Sequence, residues 1–447
     1  MLMLKKIALF VIVFYFNSNA QFYQLHQDEA LMQGGLGIIW INGAPNYGLR
    51  LFPEIQFNNI GIGLDLHLEY TPDGKLREEN FNEFSDYLSI LRYIRYGKKG
   101  DPLYVRLGSL DYATLGYGNI MYMYNNSPSF DSKKVGLEFD ADFNDFGFES
   151  VYSNFGQAGL IGVRGFIKPM HFTGLLYTPI IGNLEVGLTI ASDQDKNAGV
   201  LAGNYDFNTG SFIPTIDEGG VTLVSVDVGF PIVHSSVAYL DAYFDATKII
   251  KFGSGAAIGL MLNLKGIGLA DVKARLERRF NGNNYIPSYF NSLYEIERFN
   301  LDKTNGIVKS KIQQLKEAVN QSNGYYGELY ANVLGLFNVL GSFQKLDNVA
   351  ESGILHLYTQ IAPTDFPYIF RAGYDKTAVR NFSDIFKLDE RSYFYSELGY
   401  RVMNYIVLSM VYYWTYTPVR DENKNIIGYK PQKRVEPRIS FYYPLDF

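Results

Sequence analysis

The chain has 447 residues and a net charge of −6, and 16% of its residues are aromatic, with 36 Tyr, 33 Phe and only 2 Trp. It contains no cysteine, which excludes disulfides and thiolate metal sites, and its acidic balance argues against nucleic acid as a partner. So many rings beside a mean hydropathy of only −0.08 are unusual for a water-soluble protein and suit one with aromatic belts at two membrane surfaces.

The N-terminus has the pattern of a secretory signal peptide. Lys5 and Lys6 precede an apolar run over 7–16, and polar and small residues follow up to Ala20. The run is about half the ~20 residues that a membrane-spanning helix needs. We therefore expect residues 1–20 to be a signal peptide cleaved near Ala20. No later apolar run approaches the length of a spanning helix, so a chain that crosses a membrane would have to do so with strands.

The rest of the chain, 21–447, is predicted to be one β-barrel. In the stretch VGLEFDADF, apolar side chains alternate with those of Glu138, Asp140 and Asp142. Three successive carboxylates cannot face a packed core, but they can face water inside a barrel. The same alternation predicts an all-β, up-and-down transmembrane antiparallel barrel of about 20 strands, with a range of 16–22. The predicted strands are 34–43, 47–57, 60–70, 86–97, 102–110, 132–143, 146–154, 159–168, 184–193, 220–230, 235–245, 253–264, 267–280, 323–335, 336–346, 351–363, 366–379, 391–403, 405–417 and 432–443.

The connections between these strands sort by side. When the first strand runs outward, almost every tight turn falls on the periplasmic side, and 169–183 is the one longer connection there. The long connections then all fall on the outer side. They are 71–85, 111–131, 194–219, 281–322, 380–390 and 418–431.

The C-terminus ends in RISFYYPLDF, with Phe441 and Tyr443 on one face and Phe447 as the last residue. In this ending, together with the signal peptide and the alternation, the chain resembles bacterial outer-membrane β-barrels, whose closing strands commonly end in Phe and are read by the barrel-assembly machinery. The resemblance implies a bacterial outer-membrane location, contact with outer-membrane lipid, and, by analogy with trimeric porins, the option of a homo-oligomer.

The segment 281–322 is the main interruption of the strand pattern. Within it, Val308, Ile312, Leu315 and Val319 lie at helical spacing. Two interpretations stay open. The segment is either an outer loop with a surface helix or an insertion folded into the lumen as a constriction or plug, since loops of this length are usually functional or disordered.

Alternation directs a set of charged side chains into the lumen. If opposite charges stood on opposite walls, they would create a transverse field that orients polar solutes. The alternative is that neighbouring charges pair and hydrate a wide lumen. Basic residues near 273–279 hint at anion preference, and the acidic face at 138–142 hints at the reverse. The candidate pore-lining residues are Asp65, Glu69, Arg106, Glu138, Asp140, Asp142, Arg164, Asp241, Asp245, Lys273, Arg275, Arg279, Arg371, Arg401 and Arg438.

Enzyme functions are disfavoured. None of the five histidines has metal-site spacing, and neither His356 nor His234, which precedes Ser235, can be placed with a nucleophile and a group that orients it. The stretch DQDKNAG faintly resembles the start of a calcium loop but lacks its glycine and its final glutamate. We therefore expect no catalytic residue, no cofactor and no metal.

The sequence thus favours a porin-like outer-membrane channel for passive diffusion of small polar solutes, because about 20 strands enclose a lumen wide enough to stay open or partly plugged. The alternative is a surface-binding, adhesin or structural barrel with an occluded lumen. The channel interpretation depends on whether 281–322 lies inside or outside the barrel.

Overall fold

The computed structural model describes residues 31–77, 87, 90–129, 131–267, 270–303, 305–319, 322–361 and 366–444. The predicted signal peptide and Phe447 lie outside these residues. Strands dominate among these residues, and short α-helices and 3₁₀ helices lie in connections between them. The strands are β1 (Leu31–Ile41), β2 (Ala44–Leu51), β3 (Glu54–Phe57), β4 (Ile60–Leu64), β5 (Leu66–Tyr70), β6 (Leu91–Tyr96), β7 (Leu103–Gly108), β8 (Gly136–Asp142), β9 (Phe146–Tyr152), β10 (Leu160–Ile167), β11 (Glu185–Asp193), β12 (Val200–Asp206), β13 (Ser211–Asp217), β14 (Val221–His234), β15 (Ala238–Ile249), β16 (Ser254–Ile267), β17 (Ala270–Asn281), β18 (Phe299–Asp302), β19 (Ile307–Ser310), β20 (Ser322–Val333), β21 (Phe337–Leu346), β22 (Gly353–Ile361), β23 (Tyr368–Val379), β24 (Ser392–Met403), β25 (Ile406–Arg420) and β26 (Ile426–Pro444).

One 22-stranded antiparallel sheet forms the wall. β2 and β3 are halves of one strand interrupted at Phe52 and Pro53, and β4 and β5 are halves of another interrupted at Asp65, because β2 pairs with β5 while β3 pairs with β4. The 22 segments therefore make 20 strands, which confirms the predicted number. Each of the predicted strand positions carries a strand of the wall.

The first and last strands are hydrogen-bonded to each other, so the order of paired strands is circular. Their register pairs Leu31 with Pro444 and Ile41 with Arg434. The pairing is interrupted opposite Pro437, which has no backbone N–H to donate. An antiparallel β-barrel without a free edge is the sheet arrangement that satisfies every backbone polar group in a membrane.

The two faces of the wall differ sharply in chemistry. On β17, Arg275, Glu277 and Arg279 point inward and are at most 4% exposed, whereas Leu276 and Phe280 point outward and are 60% and 40% exposed. An apolar side chain so exposed is unfavourable in water but favourable against lipid. The period of two along each strand therefore produces an apolar exterior and a charged interior.

The two ends of the barrel also differ. At one end, the turn end, most strands are joined by short turns such as 58–59, 143–145 and 334–336, where Asn58 (φ 50°) and Gly335 (φ 69°) adopt left-handed conformations. At the other, the loop end, lie the long connections. A longer connection at the turn end is 168–184, which contains the 3₁₀ helix Pro169–Phe172. The predicted outer loop 418–431 is wrong, because β25 and β26 extend until only 421–425 remains as a turn.

The long connections carry further structure. β12 pairs with β13, and β18 pairs with β19, as two separate hairpins. Helix α1 (Tyr294–Glu297) and helix α2 (Lys311–Glu317) lie in 282–319, and a second 3₁₀ helix, Phe382–Phe386, lies in 380–391. Across the described part of the chain, no helix has the length and apolar character needed to cross a membrane.

Candidate functional site: the barrel lumen

All the predicted pore-lining residues carry side chains that are buried or half-buried in the interior. Asp142, Asp241, Lys273, Arg371 and Arg401 are half-buried. The others are less than 10% exposed, which is the inward position that the alternation predicts. They are Asp65, Glu69, Arg106, Glu138, Asp140, Arg164, Asp245, Arg275, Arg279 and Arg438.

Residues 111–129, which we call the lumenal segment, lie inside the barrel. The prediction of an outer loop at 111–131 is therefore wrong. The ring of Tyr117 stacks on that of Tyr243 of β15, with centroids 4.0 Å apart and planes 3° from parallel. Asn119 donates hydrogen bonds to Asp245 (3.1 Å) and Thr247 (3.0 Å) on the same strand.

The lumenal segment reaches other walls as well. The N–H of Gly116 donates to Glu149 of β9 (2.8 Å), and the hydroxyl of Ser129 donates to the main-chain oxygen of Tyr416 on β25 (2.8 Å). Because β9, β15 and β25 lie at separate places around the ring, the segment crosses the lumen. It therefore fills part of the lumen rather than lining one side of it.

The insertion 282–319 packs on the lumenal segment from the loop end. Ser288 donates its N–H to the oxygen of Asn119 (2.7 Å), and Tyr122 donates its N–H to the oxygen of Phe290 (3.0 Å). Arg298 binds Asp193 of β11 (2.7 Å), which fixes the insertion to the wall. Residues 285–298 of the insertion are therefore folded into the lumen, which is the second of the two interpretations of 281–322.

The predicted helix in this insertion is correct only in part. α2 covers 311–317 and begins with a capping box in which Ser310 and Gln313 bond reciprocally. Ile312 and Leu315 are buried, as the helical spacing predicts. Val308 instead lies on β19 in a core with Phe299 and Leu301, because the chain pairs there with β18. Val319 is 56% exposed.

One carboxyl group and one phenol show how closely the insertion packs against the lumenal segment. Burial favours the neutral form of Glu295, but Arg298 and Lys134 outweigh it and hold the pKa of that carboxyl below its usual range. Burial raises the pKa of the Tyr124 phenol, which donates a hydrogen bond to Glu295. The interface between the lumenal segment and the insertion is therefore an ionised, hydrogen-bonded one rather than a purely apolar one.

Between the lumenal segment and the strands β2–β6 and β22–β26 lies a cavity of about 290 Å³. Its charged groups pair with their neighbours: Arg50 with Asp65 (3.1 Å), Arg92 with Glu54 (2.9 Å) and Arg438 with Glu397 (3.0 Å). Six aromatic rings also line it. They are Phe52, Tyr112, Tyr358, Tyr393, Tyr395 and Tyr413.

The charge clusters that the sequence singled out have partners of opposite sign. Lys99, at the turn end, binds both Glu138 (3.1 Å) and Asp140 (2.7 Å). Glu277 lies between Arg275 and Arg279. Neither the acidic nor the basic cluster therefore sets the sign of the electrostatic potential in the lumen by itself. Sequence reasoning missed Lys99, because a turn lysine gives no periodic signal that it folds back over the strand.

Arg164 of β10 is another compensated cation. It binds Asp227 of β14 (2.6 Å), Glu185 of β11 (2.8 Å) and Glu149 of β9 (3.2 Å). β9 and β11 are the neighbours of β10 in the sheet, and β14 follows β11, so the guanidinium reaches across β11 to Asp227. The wall thus carries ion pairs between strands that are adjacent or next but one, and its charges act as short dipoles.

One histidine lies in a constellation that resembles a hydrolytic triad in composition. His356 of β22 binds Asp375 of β23, and Ser292 lies 3.5 Å from it. Both contacts involve the same ring nitrogen, Nδ1, whereas a triad needs the serine and the carboxylate on different nitrogens. The three side chains are also buried beneath Tyr122. The arrangement is suited to anchoring the insertion.

The remaining candidates for chemistry are engaged in structural contacts. His234 binds Asp241 (2.9 Å) near the turn end. In the stretch DQDKNAG, Asp193 and Asp195 both bind Arg298, so a cationic side chain occupies the position that a calcium ion would need. No group of three or more His, Asp or Glu side chains within the described ranges is arranged to hold a metal.

The comparisons with known proteins identify a fold and no family. No family model matches the chain, and no curated protein matches it. Solved structures that it resembles include OccK11 (OpdR) of Pseudomonas aeruginosa, at 10% identity and a TM-score of 0.32, covering 93% of this chain and 95% of that one. Wzi of Escherichia coli, described as a carbohydrate-binding β-barrel, gives 10% identity, a TM-score of 0.35 and coverages of 94% and 85%.

A third structure, OmpT, an outer membrane protein of Vibrio cholerae, gives 9% identity, a TM-score of 0.29 and coverages of 95% and 100%. TM-scores this low carry no argument about activity. The 20-stranded wall and its apolar exterior are those of an outer-membrane β-barrel protein, and this is the fold of the chain.

Proposed function

We propose that the protein is a narrow, porin-like channel of the bacterial outer membrane through which small polar solutes diffuse passively. The observation that supports this best is the polar cavity between the lumenal segment and the wall. An inward-folded segment reduces a 20-stranded lumen to a selective passage, and a lining of hydrogen-bonding groups lowers the cost of dehydrating a polar solute there. The proposal includes no catalytic step and no cofactor.

A second function, a binding or structural barrel with an occluded lumen, is favoured by a different observation. The lumenal segment contacts several walls, and the insertion 285–298 covers it from the loop end. If these contacts persist in the membrane, solutes reach the cavity from one end only. The protein would then bind a surface partner without transporting anything.

Conductance across planar bilayers distinguishes the two functions. The mature chain, refolded in detergent and added to bilayers of several compositions, should give small stepwise currents. A companion variant, in which residues 113–127 are replaced by a flexible Gly-Ser linker, should give larger steps, because it lacks the segment that crosses the lumen. A control in which 207–210, the turn between β12 and β13, is replaced in the same way should behave like the parent.

The outcomes separate cleanly. The absence of current from the parent chain together with large currents from the 113–127 variant would show an occluded barrel and overturn the channel proposal.

Separation of the membranes of the native host, followed by immunodetection, tests the proposed outer-membrane location, since the protein should be found with the outer-membrane fraction. Chemical cross-linking in the same membranes tests whether the barrel associates with copies of itself, which porin-like proteins often do.

A further inference from the structure

Aromatic rings give the lumenal cavity apolar faces among its charges. Tyr395 of β24 and Tyr413 of β25 lie side by side, with ring centroids 5.1 Å apart and planes tilted by 36°. Phe52 lies at the interruption between β2 and β3, with the guanidinium of Arg50 5.0 Å from its centroid and that of Arg438 5.8 Å from it. A ligand in this cavity therefore meets flat apolar surfaces bordered by polar groups.

The charges of the cavity compensate one another at short range. Glu397 lies between Arg438 (3.0 Å) and Arg371 (3.6 Å). Asp65 accepts from Arg50 through both carboxylate oxygens, at 3.1 Å each. A small ion gains little from such pairs, because the attraction of one member is offset by the repulsion of the other.

The tyrosine hydroxyls join the same network. Tyr395 donates its hydroxyl hydrogen to Glu397 (3.0 Å), and the Tyr413 oxygen accepts from Arg50 (3.2 Å). Donors and acceptors therefore alternate over short distances along this wall. Adjacent hydroxyl groups of a sugar, each of which is both a donor and an acceptor, match such an arrangement better than a compact charge does.

We propose that the cavity binds a neutral polyhydroxylated solute of the mono- or disaccharide class. Its apolar ring face packs on Tyr395 and Tyr413, and its hydroxyls bond to the groups around Glu397. The cavity volume of about 290 Å³ limits the size of the solute, since it lies at the small end of the volumes of ligand sites in proteins. This inference rests on the proposed passage of small polar solutes through the lumen, and it names the class of solute.

Titration calorimetry tests the proposal on the full mature chain in detergent, with maltose as the neutral probe and glutamate and lysine as charged probes of smaller size. Maltose should bind saturably, and neither amino acid should compete with it. Tyr413→Ala and Tyr395→Ala should each weaken maltose binding roughly tenfold, because each removes a stacking surface. Tyr330→Ala, which removes a tyrosine from the lumenal side of β20 outside the cavity, should leave the affinity unchanged.

Heat-modifiability on gels verifies that every variant is folded, and the two cavity tyrosines serve as independent variants should one of them fail to fold. Preferential binding of glutamate or lysine would overturn the saccharide assignment. Maltose binding that both cavity variants leave intact would overturn it as well. Bilayer currents without maltose binding contradict this inference alone, whereas maltose binding without currents contradicts the channel proposal alone.

Discussion

Arg275 on β17 donates a hydrogen bond to the main-chain oxygen of Tyr117 in the lumenal segment. The same guanidinium lies 5.4 Å from the ring centre of Tyr122, in the same segment, and 5.0 Å from that of Tyr326 on β20. It also pairs with Glu277. A single wall side chain thus holds two residues of the lumenal segment, and in the proposed channel it would set the width of the passage.

Replacing that side chain should widen the passage. We expect Arg275→Ala to raise single-channel conductance several-fold, because the lumenal segment loses its hydrogen bond and its cation–π contacts there. The barrel should still fold, since Glu277 keeps Arg279 as a cationic partner (2.6 Å). Arg278→Ala, on the outward face of the same strand, is the matched control and should conduct like the parent. An unchanged conductance in folded Arg275→Ala would mean that other contacts hold the segment.

The turn lysine should govern ion preference at the turn end. Lys99→Met removes the cation shared by Glu138 and Asp140 and leaves two carboxylates on one wall. We expect the reversal potential in a KCl gradient to move toward that of a cation-selective pore. Lys98→Met, in the same turn but exposed, should leave the reversal potential unchanged. Equal shifts in both variants would indicate a general surface-charge effect.

The pair at the strand interruptions should behave as a coupled unit. Asp65→Asn leaves Arg50 with a buried, poorly compensated charge, which should lower the free energy of unfolding by roughly 3–5 kcal/mol. The double variant Arg50→Met, Asp65→Leu should recover only part of this loss, because Lys133 also binds Asp65 (3.0 Å) and loses that partner in both variants. Urea unfolding in lipid vesicles measures the loss. As a control, Asp73→Asn, which breaks an exposed pair with Lys75, should lower the free energy of unfolding by under about 1 kcal/mol. If the losses of single variants at positions 50 and 65 simply add up to the loss of the double variant, the two residues are not coupled.

Acid should loosen the connection 380–391 in a defined pH range. Hydrogen bonds from Arg391 lower the pKa of Asp384 to about 2. Because the unfolded value is about 3.9, this carboxylate stabilises the folded connection fully above about pH 4 and loses its contribution as the pH falls toward 2.

Pepsin, which is active over that range, provides the measurement. Cleavage within 380–391 should be slow at pH 4 and faster at pH 2, and Asp384→Asn should already be cleaved quickly at pH 4. Glu351→Gln, which breaks the exposed pair with Arg380, serves as the control and should follow the parent. Equal cleavage rates of the parent at both pH values would contradict the assignment.

The wall could be predicted from the sequence because its determinant is local. The period of two in segments such as β8 records which side of a strand meets lipid, and that pattern needs no knowledge of the rest of the fold. The interior position of Arg275 and Asp245 followed from the same alternation. The ion-pair and hydrogen-bond partners of those side chains could not be predicted in this way, because they depend on which strands become neighbours.

The lumenal segment was missed for a physical reason. Its stretch LGYGNIMYMY has neither strand nor helix period, and it folds by contacts with strands far away in sequence, such as that of Asn119 with Asp245. The one available signal was its composition, since Met121, Tyr122 and Tyr124 are costly in an exposed loop. The helical spacing from Val308 to Val319 predicted too long a helix, because the hairpin of β18 and β19, rather than a helix, buries Val308.

The contact between Ser129 and Tyr416 spans 287 residues of sequence. The lumenal segment leaves the wall between β7 and β8, but this anchor belongs to β25, the strand before the last. During biogenesis the inside of the barrel therefore cannot reach its final arrangement before the last hairpin arrives. A nascent barrel that lacks its last hairpin would hold the lumenal segment through its contacts with β9, β15 and β17 alone. It would gain the remaining anchor together with the strands that close the seam between β1 and β26.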